Sequence, residues 1–229
     1  MSQGFTNDTT ASPGTGTGLI VGQDDATIND PIINRIFDSN GNLIFRLNPI
    51  ASAVNYWGTQ NNTTGNAPIL EALGTDTNVI GQIRGQGTGG VAIQGTGTNN
   101  NASAGFVGEF VSSSIPVASA VSLTTGTPAN VTSISLTAGD WDVHGNVFIS
   151  GAASNIARSQ AWVSLTSATA PDLSLRSLDD TPSGSSLCGL VTPFFRVSIS
   201  STTTVYLSCQ GNFSATATAC GNIYARRVR

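Results

Sequence analysis

Three residues capable of metal-binding or acid–base chemistry lie at alternate positions of one short run, at Asp140, Asp142 and His144 in the sequence DWDVHG. Two carboxylates with this spacing can begin a calcium-binding loop. Such a loop needs a further oxygen ligand where His144 stands and a bidentate glutamate where Gly151 stands. Because apolar residues alternate with these polar ones, we expect Asp140 and Asp142 on the solvated outer face of a strand, with no metal.

The reactive side chains needed for most enzyme mechanisms are scarce. His144 is the only histidine, and the chain has no lysine, since all nine basic residues are arginine. One histidine without a G-x-S-x-G elbow argues against serine or cysteine catalysis, and the missing lysine excludes P-loop and Schiff-base chemistry. We expect His144 to be an exposed structural residue; three copies meeting on a trimer axis around a metal is the alternative. A glycosidase with paired carboxylates also stays open, but the sequence favours a protein that binds without catalysis or cofactor.

A literal match to the dinucleotide-binding pattern G-x-G-x-x-G lies at residues 85–90, GQGTGG. That loop must open a helix and be followed about 20 residues later by an acidic residue. The residues that follow, VAIQGTGTNNNASAG, are unsuited to a helix, and the next acidic residue is Glu109. We therefore interpret residues 85–90 as a turn in a glycine-rich stalk.

The three cysteines, Cys188, Cys209 and Cys220, are too few and odd in number for a disulfide framework. Their number suggests synthesis in a reducing cytoplasm. Cys209 and Cys220 lie about symmetrically around a turn near residues 214–215, so they could face each other across a hairpin. A disulfide between them is possible once the protein is outside the cell.

Composition narrows the class of partner. Charged residues make up 10% of the chain, against about 25% in a typical soluble domain. A neutral chain rich in threonine and glycine fits short strands joined by tight turns. A net charge of −4 argues against nucleic acid, because the only basic cluster is Arg226, Arg227 and Arg229. No apolar run is long enough for membrane insertion, and no signal peptide is visible.

Residues 1–30 have no helical or strand periodicity, so we expect an extended arm that becomes ordered by docking on a partner. A β-hairpin is predicted over 32–47, where two apolar runs flank Asn40-Gly41. Residues 48–104 contain only short apolar clusters, and no stretch is long enough for a normal strand in a self-contained sheet. Three chains wound together could share such clusters in one core, so 31–104 is predicted to be an interwoven trimeric β stem.

Residues 105–229 have the alternation of a compact all-β domain. Four runs place their apolar residues on one face at roughly ten-residue spacing, which is typical of a sandwich or jelly roll. No amphipathic helix is expected anywhere. The predicted inward residues are Trp141, Val143, Val147, Ile149, Ala161, Val163, Leu165, Phe195, Val197, Ile199, Val205, Leu207, Cys209 and Phe213.

Two polar loops of this predicted knob, 151–160 and 176–189, are candidates for binding a ligand. They supply Arg158, Arg176, Asp179 and Asp180, which can form hydrogen bonds with hydroxyl or carboxylate groups. Trp162 alternates out of phase with Ala161 and Val163. We therefore expect its ring at a subunit contact or exposed as a stacking surface.

Residues 51–91, which begin with ASAVN, resemble the stem of fibre and head-fibre proteins of tailed bacteriophages. The stretches 130–151 (with SLTAGDWDV), 196–214 and 221–229 (ending in ARRVR) are similar to the terminal domain of the same proteins. The chain departs from the family at GQIRGQG, where a Pro-Lys-Gly turn is frequent. The resemblance implies a homotrimer, a virion location and contact with the host surface, and it carries over no catalytic residues.

The expected protein is therefore a tail fibre whose knob binds a host-surface glycan or protein, with the arm docked on a tail or capsid protein. A capsid head fibre or decoration protein is the alternative within the same structural class. A glycan-cleaving tailspike is the alternative from another class, and it would need a long β-helix with paired acidic residues.

Overall fold

The computed structural model describes residues 35–98, 100–151, 156–180 and 186–229. Within these ranges the regular elements are strands and two short 3₁₀ turns, without an α-helix, which confirms the all-β prediction. No helix in the described part of the chain is long and apolar enough to cross a membrane. The predicted arm, residues 1–30, lies outside the described residues.

Internal contacts divide the chain into two units, of which the first ends at Ile93 and the second begins at Gln94. This boundary lies earlier in the chain than the predicted one, which was placed after residue 104. The intervening segment belongs with the second unit, where Asn101 is tied to strand residue Phe110. Asn101 Nδ2 donates to Phe110 O (2.6 Å), and Phe110 N donates to Asn101 Oδ1 (3.0 Å).

The first unit begins with the predicted hairpin, formed by β1 (Arg35–Phe37) and β2 (Leu43–Arg46). Asp38 Oδ1 accepts the N–H groups of Asn40 (2.9 Å) and Asn42 (2.7 Å), which closes the loop. Gly41 has a φ of +83°, a conformation that favours glycine. The hairpin prediction is confirmed over the described residues 35–46.

A second hairpin corrects the expectation that residues 48–104 hold no strand of ordinary length. β3 (Asn55–Gln60) and β4 (Ile69–Gly74) are six residues each and pair in antiparallel register. The turn between them includes Gly65, with φ +87°. Sequence inspection missed these strands because glycine, asparagine and threonine interrupt the alternation on which strand prediction depends.

No described residue of the first unit, over 35–93, is buried. Each hairpin has only two strands, and such isolated ribbons are at best marginally stable in water. Large apolar side chains are exposed along the whole unit: Ile36, Phe37, Leu43, Ile44, Phe45, Leu47, Ile50, Val54, Tyr56, Trp57, Ile69, Leu70, Ile80, Ile83, Val91 and Ile93.

The second unit consists of two antiparallel sheets. The four-stranded sheet has the order β10-β9-β13-β7; the six-stranded sheet has the order β11-β8-β14-β5, with β12 also on β8 and β6 also on β14. The strands are β5 (Phe110–Ile115), β6 (Val121–Leu123), β7 (Ala129–Leu136), β8 (Gly139–Ser150), β9 (Ile156–Ser164), β10 (Arg176–Asp179), β11 (Leu187–Val191), β12 (Phe195–Ile199), β13 (Thr203–Phe213) and β14 (Ala217–Arg227).

Both sheets contribute to a single hydrophobic core. The alternation predicted for β8 is confirmed, since Trp141, Val143, Val147 and Ile149 are at most 1% exposed. The predicted core residues of β12 and β13 also lie in this core or pack against it. Leu165 is an exception at 42% exposed, because β9 ends at Ser164 and the alternation ends with it.

The predicted hairpin contact between Cys209 and Cys220 is wrong. Cys209 lies on β13 of the four-stranded sheet and Cys220 on β14 of the six-stranded sheet, so the chain crosses between sheets where a hairpin turn was expected. Both residues are buried free thiols, as is Cys188. Burial raises the pKa of Cys209 to about 12, which keeps the thiol protonated and unreactive.

The three arginines of the C-terminal cluster have different surroundings. Arg226 is exposed, and Arg229 pairs with Asp140, with 2.7 Å between Arg229 Nε and Asp140 Oδ2. Arg227 turns inward, where its Nε donates to Glu109 Oε2 (2.9 Å) and its guanidinium lies 4.3 Å from the centre of the Trp141 ring. Arg226 and Arg227, which are adjacent in the sequence, thus lie on opposite faces of β14.

Candidate functional site

The outer face of the six-stranded sheet carries a row of aromatic rings. Register makes His144 on β8 the neighbour of Tyr224 on β14, and their ring centres are 4.1 Å apart at an interplanar angle of 80°. Phe194 stacks on the other side of His144, at 5.2 Å and 20°. Phe110 of β5 continues the row, 6.1 Å from Tyr224.

The position of Phe194 depends on an anchor between β11 and β12. Thr192 N donates to Gly145 O (2.8 Å), and Gly145 N donates to Thr192 Oγ1 (2.9 Å). Thr192 is buried, with 5% of its surface exposed. This pair of hydrogen bonds holds the connection against β8 and places Phe194 beside His144.

A row of charged residues crosses the same face next to the rings. Asp142 lies between Arg226 of β14 and Arg196 of β12, and it forms an ion pair with Arg196. Asp140 accepts hydrogen bonds from Ser198 and Arg229. The Ser198 hydroxyl and the Arg229 charge lower the pKa of Asp140 despite the opposing effect of burial.

The outer-face position predicted for Asp140 and Asp142 is confirmed, but both side chains are paired rather than simply solvated. Over the ranges that the structure describes, His, Cys, Asp and Glu side chains form no group of three suitable for a metal ion. His144 also lies on the outer face, as expected, but it is half-buried between Phe194 and Tyr224.

The rings border two open clefts. One has a volume of about 540 Å³ and includes Phe110, His144, Phe194 and Tyr224 in its lining. The other, of about 620 Å³, lies beyond Phe110 and Arg226 and is completed by residues of 95–108. We call the outer surface formed by the following side chains the aromatic face: Phe110, His144, Phe148, Val191, Phe194 and Tyr224.

The outer face of the other sheet differs in composition. Its exposed positions on β7 and β13 include Ser133, Ser135, Thr204 and Asn212, all of them polar. Antiparallel sheets commonly present such a polar face to water. The outer face of the six-stranded sheet is mixed, since beside its charged row it exposes large rings, with Phe110 46% and Phe194 67% exposed.

Two of the five predicted binding residues are brought together. Asp179 ends β10 opposite Ser159 of β9, so that Arg158 and Asp179 both line a small pocket of about 60 Å³ beside Cys188. Asp180 follows directly and is exposed. The residues at 152–155 and 181–185, which belong to the two predicted loops, lie outside the described part of the chain.

Arg176 and Trp162 are placed away from that pocket, as neighbours across β10 and β9. Arg176 Nη1 donates to Gln160 Oε1 (2.8 Å). Trp162 is 0% exposed, so the expectation of an exposed stacking surface or a subunit contact is wrong for this ring. The alternation correctly separated Trp162 from Ala161 and Val163, but it could not show that its side of the sheet is covered at this point.

Sequence reasoning did not identify the aromatic face. Phe110, Phe194 and Tyr224 come from three strands far apart in the chain, and only the register of the sheet makes them neighbours. A usable signal was present on β8, where His144 and Phe148 occupy the outward positions of an alternating strand. No protein-family model matches this chain, and comparison with curated proteins likewise found no match.

Proposed function

We propose that this chain is a structural and binding protein of a tailed-phage virion, a homotrimeric fibre whose second unit contacts the host surface. The resemblance of 51–91 and of three later stretches to phage fibre proteins supports this proposal. Its parts are an N-terminal arm that docks on a tail or capsid protein, an interwoven trimeric stem and a jelly-roll-like knob.

The observation that carries the proposal is the lack of any buried residue over the described part of the first unit, 35–93. Two hairpins with exposed side chains such as Phe45 (62%) and Tyr56 (63%) cannot form a core by themselves. Apolar surface contributes about 25 cal/mol per Å² when it is removed from water. Neighbouring copies of the same chain supply that burial in a closed, symmetric assembly.

Binding to the host is proposed at the edge formed by β9 and β10. Arg158, Asp179 and Asp180 lie there on or beside a rigid two-sheet scaffold. Guanidinium and carboxylate groups form charge-assisted hydrogen bonds with the hydroxyl and carboxylate groups of surface glycans and proteins. Three such edges in one trimer convert weak single contacts into useful avidity.

The state of the carboxylates favours binding over glycan cleavage. A glycosidase needs one acid with a raised pKa beside an ionised one. Asp140 and Asp142 are close on β8, but each is paired with an arginine and the pKa of Asp140 is lowered. This pair is therefore suited to holding β8, β12 and the C-terminal residues together.

Native mass spectrometry of the full chain tests the assembly. The expected result is a trimer that dissociates only together with unfolding of the first unit, because that unit has no core of its own. A folded, stable monomer at low micromolar concentration would contradict the proposal.

Competition for adsorption tests the binding function. Saturating full-length protein should prevent phage from adsorbing to host cells, and the double variant Arg158→Ala/Asp180→Ala should compete less well. The control is Ser135→Ala/Thr204→Ala, a pair of exposed neighbours on the polar outer face. Undiminished adsorption would favour a capsid decoration protein instead, and release of shortened glycans would favour a tailspike.

A further inference from the structure

We infer that the aromatic face of the second unit is the surface on which the second units of neighbouring copies pack against one another. The inference rests on the proposed trimer and extends it, because the trimer was argued only from the first unit. The occupant of the face is a second copy of this chain.

The first support is the contrast between the two outer faces. Phe194 and Val191 are 67% and 66% exposed on the six-stranded sheet, whereas the exposed positions named above on β7 and β13 are polar. An exposed apolar patch of about 300–600 Å² is often functional, while single exposed apolar residues need no explanation. The face therefore calls for a partner that covers several strands at once.

The second support is the size of the face. Across the strands, the face covers four neighbours, or about 14 Å. Along β8 it extends from Asp142 to Phe148, or about 20 Å, which gives an area of roughly 300 Å². A stable interface between independent proteins needs about 800 Å² from each partner. The aromatic face is too small for that, but it is sufficient for copies already held together by the stem, where the effective concentration is high.

The third support is the arrangement of the polar groups. Asp142 is already paired with Arg196, and the His144 ring is covered by Phe194 and Tyr224, so the carboxylate and the imidazole of this face already have partners. Arg226 is without a carboxylate partner in the described ranges. A neighbouring copy would supply an acceptor to its guanidinium.

Hydroxyl-radical footprinting of the full chain tests the inference, with each labelling rate expressed relative to that of the unfolded chain. Phe194 should be labelled about tenfold more slowly than its 67% exposure in a single chain implies, because a ring in an interface core is as buried as one in a protein interior. Phe110 should be protected with it. The internal control is Leu173, 52% exposed on the turn before β10, which should be labelled as an exposed residue.

Substitution provides the second measurement. Phe194→Arg should weaken the trimer at least about thirtyfold, as expected for loss of an apolar anchor, whereas the control Leu173→Arg should leave it unchanged. Equal effects of the two variants on trimer dissociation would overturn the inference. Circular dichroism of both variants, showing the strand content of the parent, ensures that dissociation reports the contact and not unfolding.

The outcomes separate this inference from the proposed function. A trimer in which Phe110 and Phe194 are labelled as freely as Leu173 would overturn the inference and leave the proposed function intact. A folded monomer would overturn both. Phe110 and Phe194 could also be labelled freely in the protein alone and become protected when host-surface saccharide is added. That result would make the face a glycan site and would also overturn the inference.

Discussion

Replacing Arg227 by methionine should destabilise the second unit by about 3–5 kcal/mol, the range for removing one partner of a buried ion pair. The side chains of Arg227 and Glu109 are only 4% and 10% exposed. Besides the 2.9 Å bond to Glu109, the guanidinium donates to Ala138 O (2.7 Å) and Thr137 Oγ1 (2.5 Å). Methionine keeps most of the aliphatic length but removes the guanidinium donor from Glu109 and from these two acceptors.

The loss should depend on pH in a defined direction. Burial opposes ionisation of Glu109, but hydrogen bonds from Gly105 N and Arg227 hold its pKa below the ordinary value of 4.5. The ion pair therefore stabilises the parent protein fully at pH values above 4.5. This stabilisation is lost as the pH falls through the lowered pKa of Glu109. Without Arg227 the pKa of Glu109 should rise, so the deficit of the variant should be largest near neutral pH and shrink in acid.

Thermal unfolding followed by tryptophan fluorescence measures the effect, since Trp141 and Trp162 in this unit are fully buried. The protomer concentration must be held constant, because the proposed assembly would contribute to the apparent stability. The expected decrease in melting temperature is on the order of 10–20 °C. The matched control is Arg229→Met, which removes an arginine that is 87% exposed and should have a far smaller effect. If Arg227→Met shifts the midpoint no more than Arg229→Met, the buried pair does not stabilise the fold in the way argued.

Three further predictions concern other parts of the chain. Deleting residues 2–30 should leave a folded trimer that no longer joins the virion; the truncated protein on purified particles at normal copy number would contradict the anchoring role of the arm. Cys209 should react with a thiol reagent only at the rate of unfolding, because it is 0% exposed and its pKa is raised to about 12; labelling of the native protein, measured by mass spectrometry, would show otherwise. Gly221→Ala should cost about 1–3 kcal/mol, since a Cβ there would lie 2.2 Å from Asn146 O, whereas Gly189→Ala, with its nearest contact at 3.6 Å, should be tolerated in the same denaturation assay.

Features set by neighbouring residues were predictable from the sequence. Alternation along β8 identified Trp141 and Val143 as core residues because inward and outward positions repeat every two residues. The β1–β2 hairpin followed from Asn40-Gly41 because the turn needs a residue that tolerates positive φ. These are local properties of the backbone, and neither requires knowledge of the partner strand.

Features that depend on strand register were not predictable in the same way. Glu109 and Arg227 are separated by 118 positions, and neither one alone suggests an ion pair. Tyr224 meets His144 only because β14 pairs with β8 in one particular register. Trp162 illustrates a further difficulty, since alternation tells on which side of a sheet a ring lies but not whether that side is covered.

The central position of β14 has a consequence for the synthesis of the protein. This strand, Ala217–Arg227, pairs with β8, β5 and β6, and it brings Ile223 and Arg227 into the interior. During synthesis, more than 60 residues must be added after β8 before β14, which pairs with both β8 and β5, is made. Pairing with β14 is therefore a slow, non-local step. A nascent chain that ends before residue 217 would leave β5 and β6 without a hydrogen-bonded partner strand and one edge of β8 unpaired. Completion of the six-stranded sheet is therefore coupled to translation through β14.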